Sequence, residues 1–236
     1  MADIAENIRN IRSRIDAAAQ KAGRDPDSIL LLAVTKLHEA EEINEAVKAG
    51  ITDIGENKVQ ELTSKYDQVV PGVRWHLIGT LQTNKVKSIA DKVCMIHSVD
   101  SVKLAKEIEK RCSALDRSMD ILLEINCAGE EAKGGVSFEE ALPLAKEILS
   151  SCPHLVLKGL MTVAPAADDP EEVRPYFARM KTCYDRWKEE LAPAGAAFEY
   201  LSMGMSHDFE IDVKEGANIV RVGTAIFGKR DYSKKM

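Results

Sequence analysis

The amino-acid sequence predicts a (β/α)₈ barrel of the TIM type with an additional helix before its first strand. Three observations support this fold class. Short runs rich in β-branched residues alternate with helical patterns, and eight such runs can be counted. The length of 236 residues matches a barrel that folds as one domain. About 45% of the residues are hydrophobic, which is enough to form a sizeable core.

The first predicted element is an amphipathic helix over residues 3–21. Ile4, Ile8, Ile11 and Ile15 recur at the spacing that places side chains on one face of a helix. This helix precedes the first strand, so it stands outside the alternating pattern that follows it.

Strands and helices then alternate along the rest of the chain. The predicted strands cover residues 29–35, 52–55, 74–79, 93–97, 119–126, 155–162, 198–202 and 218–222. A helix is predicted after each of the first seven, near residues 40–49, 57–68, 83–91, 101–114, 137–150, 171–191 and 207–215. Such alternation indicates right-handed crossovers and a parallel sheet. Eight strands favour a closed barrel, and an open parallel sheet is the alternative that the pattern leaves.

The composition argues against nucleic-acid and membrane partners. The net charge is −6, and no basic run extends beyond a pair such as the terminal Lys234–Lys235. No apolar run approaches the roughly 20 residues that a bilayer span requires, and no signal peptide precedes the first helix. Five cysteines without a CxxC pair are expected to be reduced thiols. We therefore expect a soluble, cytoplasmic protein in which residues 1–236 form a single domain.

A lysine follows the first buried strand. Residues 29–34 are all apolar, and Thr35 and Lys36 come directly after them. A lysine in this position either forms an ion pair, for example with Glu56, or serves chemistry. Desolvation and nearby cations lower the pKa of an amine and expose a nucleophilic lone pair. The position of Lys36 alone favours neither interpretation.

The loops after strands seven and eight predict a phosphate site. In this architecture the two loops are the usual place for a phosphate. Residues 202–206 read SMGMS, and Gly223–Thr224 follow strand eight. Glycine lets backbone N–H groups approach an anion, and hydroxyl groups add further donors. Ser206 is also expected to cap the next helix, and an N-cap beside a glycine turn is the alternative explanation.

A nucleophilic lysine and a phosphate site at one end of a barrel suit a phosphorylated aldehyde. Pyridoxal phosphate carries both groups and is held by enzymes as a lysine Schiff base. Its pyridine nitrogen requires a partner. Arg221, which interrupts the apolar run of residues 219–222, is the candidate for that contact.

Eight segments resemble the pyridoxal-phosphate homeostasis proteins, which are relatives of the N-terminal barrel of alanine racemase. The segments are AVTK (33–36), GENKVQE (55–61), WHLIGTLQTNK (75–85), HSVDS (97–101), KGG (133–135), GLM (159–161), LSMGMSHD (201–208) and VRVGTAIFG (220–228). They occur in the expected order over nearly the whole chain. The patterns GENxxQE, HxIGxLQxNK and LSMGMSxD are together highly specific.

The resemblance implies a (β/α)₈ barrel that binds one pyridoxal phosphate as a monomer. Lys36 matches the Schiff-base lysine of the family, and Arg221 matches the arginine that faces the pyridine nitrogen. Ser206, Gly223 and Thr224 match the residues that hold the phosphate.

Three further residues are assigned to the cofactor pocket by the same resemblance. Asn57 matches a polar residue that lines it, and His76 and Met203 lie in segments close to it. The chain departs from the family at residues 35–39, which read TKLHE. A second lysine and a proline of the family pattern are absent there. The departure leaves Lys36 as the attachment residue and questions any role for a neighbouring lysine.

Two functions are compatible with this set of residues. A racemase needs acid and base groups on both sides of the substrate Cα–H bond, and alanine racemases take the second from a tyrosine in a C-terminal domain. Such a domain is not expected here, because the sequence ends soon after Gly228. An arginine at the pyridine nitrogen also disfavours a protonated ring.

We therefore predict a carrier of pyridoxal phosphate that maintains the intracellular supply of the cofactor without established catalysis. Amino acids or pyridoxal-phosphate-dependent apoenzymes are its expected partners. An alanine-racemase-like enzyme is the alternative. A nucleic-acid-binding or structural scaffold fits the acidic charge and the lysine–phosphate arrangement poorly.

Overall fold

The computed structural model describes residues 3–130 and 133–228 as a closed barrel of eight parallel strands. The strands are β1 (Leu30–Val34), β2 (Asp53–Glu56), β3 (Arg74–Leu77), β4 (Met95–Val99), β5 (Met119–Ile125), β6 (Leu155–Thr162), β7 (Tyr200–Ser202) and β8 (Ile219–Val222). The barrel closes where β1 pairs with β8, with Leu32 opposite Arg221. The predicted fold class is confirmed, and the open sheet is excluded.

Helices cover the outside of the barrel. They are α1 (Ile4–Lys21), α2 (Ala40–Lys48), α3 (Val59–Lys65), α4 (Val102–Ala114), α5 (Phe138–Ser151), α6 (Arg174–Leu191), α7 (Phe209–Lys214) and α8 (Thr224–Phe227). Helix α1 is the additional helix, and it packs against α2, α7 and α8. None of the helices within the described ranges is long and apolar enough to cross a membrane.

Two elements differ from the sequence-based prediction. The segment after β3 forms a 3₁₀ helix over Thr83–Ser88 instead of an α-helix over residues 83–91. Its backbone makes i→i+3 bonds, such as Lys85 N–H to the Gln82 carbonyl, which close a tighter turn. The short helix α8 was not predicted, because four residues are too few to show a helical period.

The core has two parts that the strands separate. The larger part fills the space between the strands and the helices. The smaller part fills the barrel itself, and its buried members are Leu32, Val34, Ile78, Met95, Leu122, Met161 and Ile219. Successive strand residues point to opposite faces, so every second residue of a strand enters the barrel. Polar residues that share this inner face are therefore buried among apolar neighbours.

Candidate functional site

Lys36 lies two residues beyond the end of β1. Strand β1 ends at Val34, earlier than the sequence suggested, and the chain turns at residues 36–37. The alternation of β1 places Leu32 and Val34 inside the barrel, and Lys36 follows them in the turn at the carboxyl end of the strand. Its side chain is half-buried, and within the described parts of the chain its ammonium has no hydrogen bond or ion pair.

A buried lysine on α3 holds the backbone on both sides of Lys36. Lys65 Nζ donates to the Thr35 carbonyl at 3.0 Å and to Glu56 Oε1 at 2.8 Å. The Leu37 amide donates to Glu61 Oε2 at 2.8 Å. Leu37 has a φ of 64°, a left-handed conformation that is unusual for a leucine.

The alternative explanation of Lys36, an ion pair with Glu56, is wrong. The carboxylate of Glu56 is fully buried and is paired with Lys65. We refer to Glu56, Glu61 and Lys65 as the loop clamp. Because the loop clamp occupies the nearby carboxylates, Lys36 remains without a counter-ion from them.

Arg221 is buried inside the barrel. Its Nη1 donates to Ser202 Oγ at 2.7 Å, and its Nη2 donates to the Thr162 carbonyl at 2.7 Å. Burial lowers the pKa of Arg221, although the acidic groups of Asp212 and Glu124 oppose that effect. A guanidinium has five N–H groups, and these two contacts use only two of them.

The loops that follow β7 and β8 meet through Ser206 and Gly223. The Gly223 amide donates to Ser206 Oγ at 3.2 Å. The prediction that Ser206 caps the next helix is wrong, since Asp208 is the N-cap residue of α7. Ser206 is instead joined to the neighbouring loop. Thr224 begins α8 beside it and is exposed.

The glycine of the SMGMS segment has a steric explanation. Gly204 has a φ of 77°, and a Cβ atom there would lie 1.8 Å from Asp212 Oδ2. Burial, followed by the nearby Asp208 carboxylate, raises the pKa of Asp212 well above its ordinary value. The Asp212 carboxyl fills the space that a side chain at residue 204 would need.

The three remaining predicted residues lie in three different environments. Asn57 directly follows β2 and is half-buried at the same end of the barrel as Lys36. His76 is buried within β3, where its ring contacts Asp53 and His97. Met203 is fully buried in the larger core. Cofactor contacts of Asn57, His76 and Met203 stay predictions.

The predicted residues gather at one end of the barrel. Lys36, Asn57, Ser206 and the Gly223–Thr224 pair all follow the carboxyl end of a strand. We call this end the mouth. In barrels of this architecture, the carboxyl ends of the strands carry the functional residues.

Glu124 is a residue at the mouth that sequence reasoning missed. It lies on the inner face near the end of β5, two residues after Leu122, and Gly134 packs close to its carboxyl oxygens. Burial, assisted by Asp100 and opposed by Arg221, raises the pKa of Glu124 to about 7. The available signal was a glutamate at an inward position of an apolar strand.

Replacement of Glu124 by glutamine is expected to stabilise the fold at high pH. The raised pKa means that the unfolded chain ionises first, from its ordinary value of 4.5, as the pH increases. The stability provided by the protonated carboxyl is thus present below about pH 4.5 and is lost towards pH 7. Glu124→Gln should therefore raise the free energy of unfolding by about 1–3 kcal/mol at pH 8 and by less at pH 5.

Urea unfolding at the two pH values measures this difference. Glu139→Gln is the control, because the Glu139 side chain is 80% exposed. An equal effect of Glu124→Gln at pH 5 and pH 8 would show that Glu124 does not titrate as described.

Comparisons with known proteins identify the family. A model of the family "Alanine racemase, N-terminal domain" matches residues 2–231. The pyridoxal phosphate homeostasis protein of Aquifex aeolicus (strain VF5) is 42% identical over 228 residues, covering 96% of this chain and 98% of that protein. The protein of the same name from Escherichia coli (strain K12) is 38% identical, with both chains covered completely.

Solved structures agree with these relatives. PipY of Synechococcus elongatus PCC7942, with PLP bound, matches with a TM-score of 0.83 and 34% identity over 96% of this chain and all of PipY. Alanine racemase of Clostridium difficile 630 matches with a TM-score of 0.72 at 15% identity and shares the fold; the match covers 59% of that enzyme. With relatives this similar over their full length, the chain belongs to the pyridoxal phosphate homeostasis protein family.

Proposed function

We propose that this chain is a carrier of pyridoxal phosphate, which it holds at the mouth as a Schiff base on Lys36 without catalysing a reaction. The observation that carries the proposal is the unpaired Lys36 ammonium at the mouth. Lys65 forms ion pairs with both Glu56 and Glu61, and within the described residues neither carboxylate is paired with Lys36. The free amine of a lysine is the nucleophile that attacks an aldehyde to form a Schiff base.

The loops after β7 and β8 fit the phosphate of this cofactor. Ser206 and Gly223 already lie in hydrogen-bond contact, and Thr224 adds an exposed residue with a hydroxyl group next to them. Hydroxyl and backbone N–H groups on glycine-containing turns are suitable donors for a phosphate. Bound cofactor would supply an electrophilic carbon and a phosphate anchor, while these residues bind and orient it.

Arg221 supports a carrier more than an enzyme with strong carbanion chemistry. Its guanidinium can only donate hydrogen bonds, so it fits an unprotonated pyridine nitrogen. A ring without that proton withdraws electrons less strongly. This residue type therefore suits a site that holds the cofactor and releases it.

The racemase alternative, on the pattern of alanine racemases, would take its second acid–base group from a tyrosine at the mouth. Four tyrosines lie within the described ranges, at positions 66, 176, 184 and 200. Tyr66 packs on Trp75 and Tyr184 packs on Phe198, which places both outside the mouth. Tyr176 lies on α6 and packs against the larger core, and Tyr200 begins β7, at the opposite end of the barrel. Turnover of L-alanine to D-alanine by the purified chain would nevertheless establish the enzyme.

Loading with pyridoxal phosphate followed by borohydride reduction tests the proposal. We expect one equivalent of cofactor, an imine absorbance before reduction, and a single modified peptide that contains Lys36. Pyridoxal without the phosphate is the matched control, and it should require a much higher concentration because it lacks the anchor. A colourless protein under every loading condition, or a label on another lysine, would contradict the proposal.

Two further statements belong to this proposal. Residues 1–236 act as one domain, and a monomer carries the complete site, because every proposed contact comes from a single chain. The mouth then admits amino acids or pyridoxal-phosphate-dependent apoenzymes as acceptors. Sedimentation of the loaded protein, with and without an apoenzyme, measures both properties.

A further inference from the structure

Polar side chains form a continuous hydrogen-bonded row through the interior of the barrel. Beyond the contact of Arg221 with Ser202, the Ser202 oxygen lies 3.2 Å from His97 Nδ1. His97 Nε2 lies 3.0 Å from His76 Nδ1, and His76 Nε2 lies 2.8 Å from Asp53 Oδ1. We call this row the interior relay. Its members are Arg221, Ser202, His97, His76 and Asp53.

The interior relay joins the two ends of the barrel. Asp53 is the first residue of β2, so it lies at the end opposite the mouth. Arg74 binds both oxygens of Asp53 at 2.8 Å. The Arg74 side chain is 57% exposed and lines a cavity of about 680 Å³ at that end. All five members are at most 5% exposed, so the row is shielded from water between its ends.

The chemistry of the two ends determines the direction of every bond in the row. Asp53, as a carboxylate, can only accept, so a neutral His76 carries its proton on Nε2 and accepts at Nδ1. His97 must then donate from Nε2 and accept at Nδ1, which leaves the Ser202 hydroxyl to donate to His97. Ser202 retains a lone pair for Arg221, which can only donate. With both rings neutral, three protons thus serve these three bonds in one direction.

The environment of the row favours a neutral His97 and an ionised Asp53. Burial, followed by the neighbouring His76 and Arg221, lowers the pKa of His97 well below its ordinary value, so the ring is neutral. Burial tends to raise the pKa of Asp53, but hydrogen bonds from His76, Arg74 and Thr52 lower it to about 2. Cys94 Sγ lies 3.4 Å from His76 Nε2, and the thiol donates to the Trp75 carbonyl. It therefore does not supply the row with a proton.

We infer that four residues position the guanidinium of Arg221 as the donor to the ring nitrogen of the cofactor: Ser202, His97, His76 and Asp53. Their hydrogen bonds also transmit the charge of Asp53 to the contact between Arg221 and the ring. The inference rests on the proposed function for the identity of the ligand. The Asp53 carboxylate sets the proton arrangement of the row, and that arrangement keeps the lone pair of Ser202 directed to Arg221. A neutral amide at residue 53 could donate to His76 and reverse the row.

The first experiment uses the cofactor-free protein. Nitrogen-15 spectra of labelled histidines distinguish Nε2–H from Nδ1–H rings. We expect His97 and His76 both to be neutral Nε2–H tautomers at neutral pH. In Asp53→Asn, we expect a substantial Nδ1–H population at both rings. An Nδ1–H or doubly protonated ring in the unmodified protein would overturn the inference, whether or not pyridoxal phosphate binds.

The second experiment measures the absorbance of bound pyridoxal phosphate across a pH titration. Ser202→Ala breaks the row beside Arg221 and should weaken retention roughly tenfold, the scale of one hydrogen bond to a charged group. It should also shift the pH dependence of the absorbance. Ser202→Thr keeps the hydroxyl and should restore most of both. His154→Gln is the control, because His154 contacts Glu109 outside the row.

The two experiments separate this inference from the proposed function. Failure of the unmodified protein to bind pyridoxal phosphate at Lys36 would end the proposed function, while the tautomers still decide whether the row has the direction described. Normal binding together with an unchanged absorbance in both Ser202→Ala and Asp53→Asn would overturn the positioning role. Should Asp53→Asn fail to fold, Ser202→Ala alone decides.

Discussion

Replacement of Lys36 by alanine is expected to abolish covalent attachment of pyridoxal phosphate while leaving non-covalent binding in place. Lys36 supplies only the amine, whereas the phosphate contacts come from other loops. Ser206 and Gly223 contact each other directly and do not depend on the Lys36 side chain for their position. The variant should therefore bind the cofactor weakly and show the absorbance of a free aldehyde.

The measurement is borohydride labelling combined with a binding titration. Lys36→Ala should yield no reduced adduct, whereas Ser206→Ala should keep the adduct and lose about 1–3 kcal/mol of binding free energy. Lys85→Ala is a matched control, since Lys85 is also a half-buried lysine without a described partner and lines a cavity beside the Lys36 turn. An adduct of unchanged stoichiometry in Lys36→Ala would assign the attachment to a different residue.

Replacement of Lys65 by methionine is expected to destabilise the fold by about 3–5 kcal/mol, the cost of leaving a buried charge without its partner. The Lys65 side chain is 7% exposed, and the Glu56 side chain is fully buried. Without Lys65, Glu56 keeps only the Thr35 hydroxyl as a hydrogen-bond donor, and its Oε2 already lacks one within the described residues. The variant also removes the contact that holds the Thr35 carbonyl next to Lys36.

Urea unfolding of three variants tests this role of the loop clamp. Lys65→Met combined with Glu56→Gln should recover part of the loss, because the second change removes the unpaired charge. Lys106→Met is the control, since Lys106 and Glu147 form an exposed pair at 56% and 50% exposure and such pairs contribute about 0–1 kcal/mol. Equal effects of Lys65→Met and Lys106→Met would exclude a structural role for the buried pair.

The loss in Lys65→Met is also expected to depend on pH. Burial raises the pKa of Glu56, and the charge of Lys65 acts against that rise. With Lys65 removed, the carboxyl should resist ionisation more strongly in the folded chain than in the unfolded chain. A raised pKa in the folded state means that stability falls as the pH increases. The variant should therefore lose less free energy of unfolding at pH 5 than at pH 8.

Local patterns were sufficient to predict the barrel and most of its mouth. The alternation of β-branched runs with helical patterns depends on near neighbours in sequence, so it can be recognised without knowledge of the tertiary structure. The carboxyl ends of parallel strands meet at one end of a barrel. For that reason Lys36 after β1 and Ser206 and Gly223 after β7 and β8 could be placed together.

Predictions failed where a distant group competes with a local one. Ser206 has the residue type of an N-cap, but the Gly223 amide is its hydrogen-bond donor and Asp208 occupies the cap position. Glu56, which directly ends the second strand, was a plausible partner of Lys36 in sequence terms. Lys65 takes that carboxylate instead, because α3 folds back over the end of β2.

The sequence by itself determined the fold class, the family and the end of the barrel that carries the proposed site, since each depends on periodicity or on contiguous motifs. Only the tertiary structure decided which buried polar groups meet inside the barrel. His97 and Ser202 are 105 residues apart and still share a hydrogen bond. Periodicity identifies the face of a strand, whereas closure of the sheet and packing of its interior select the partner across the barrel.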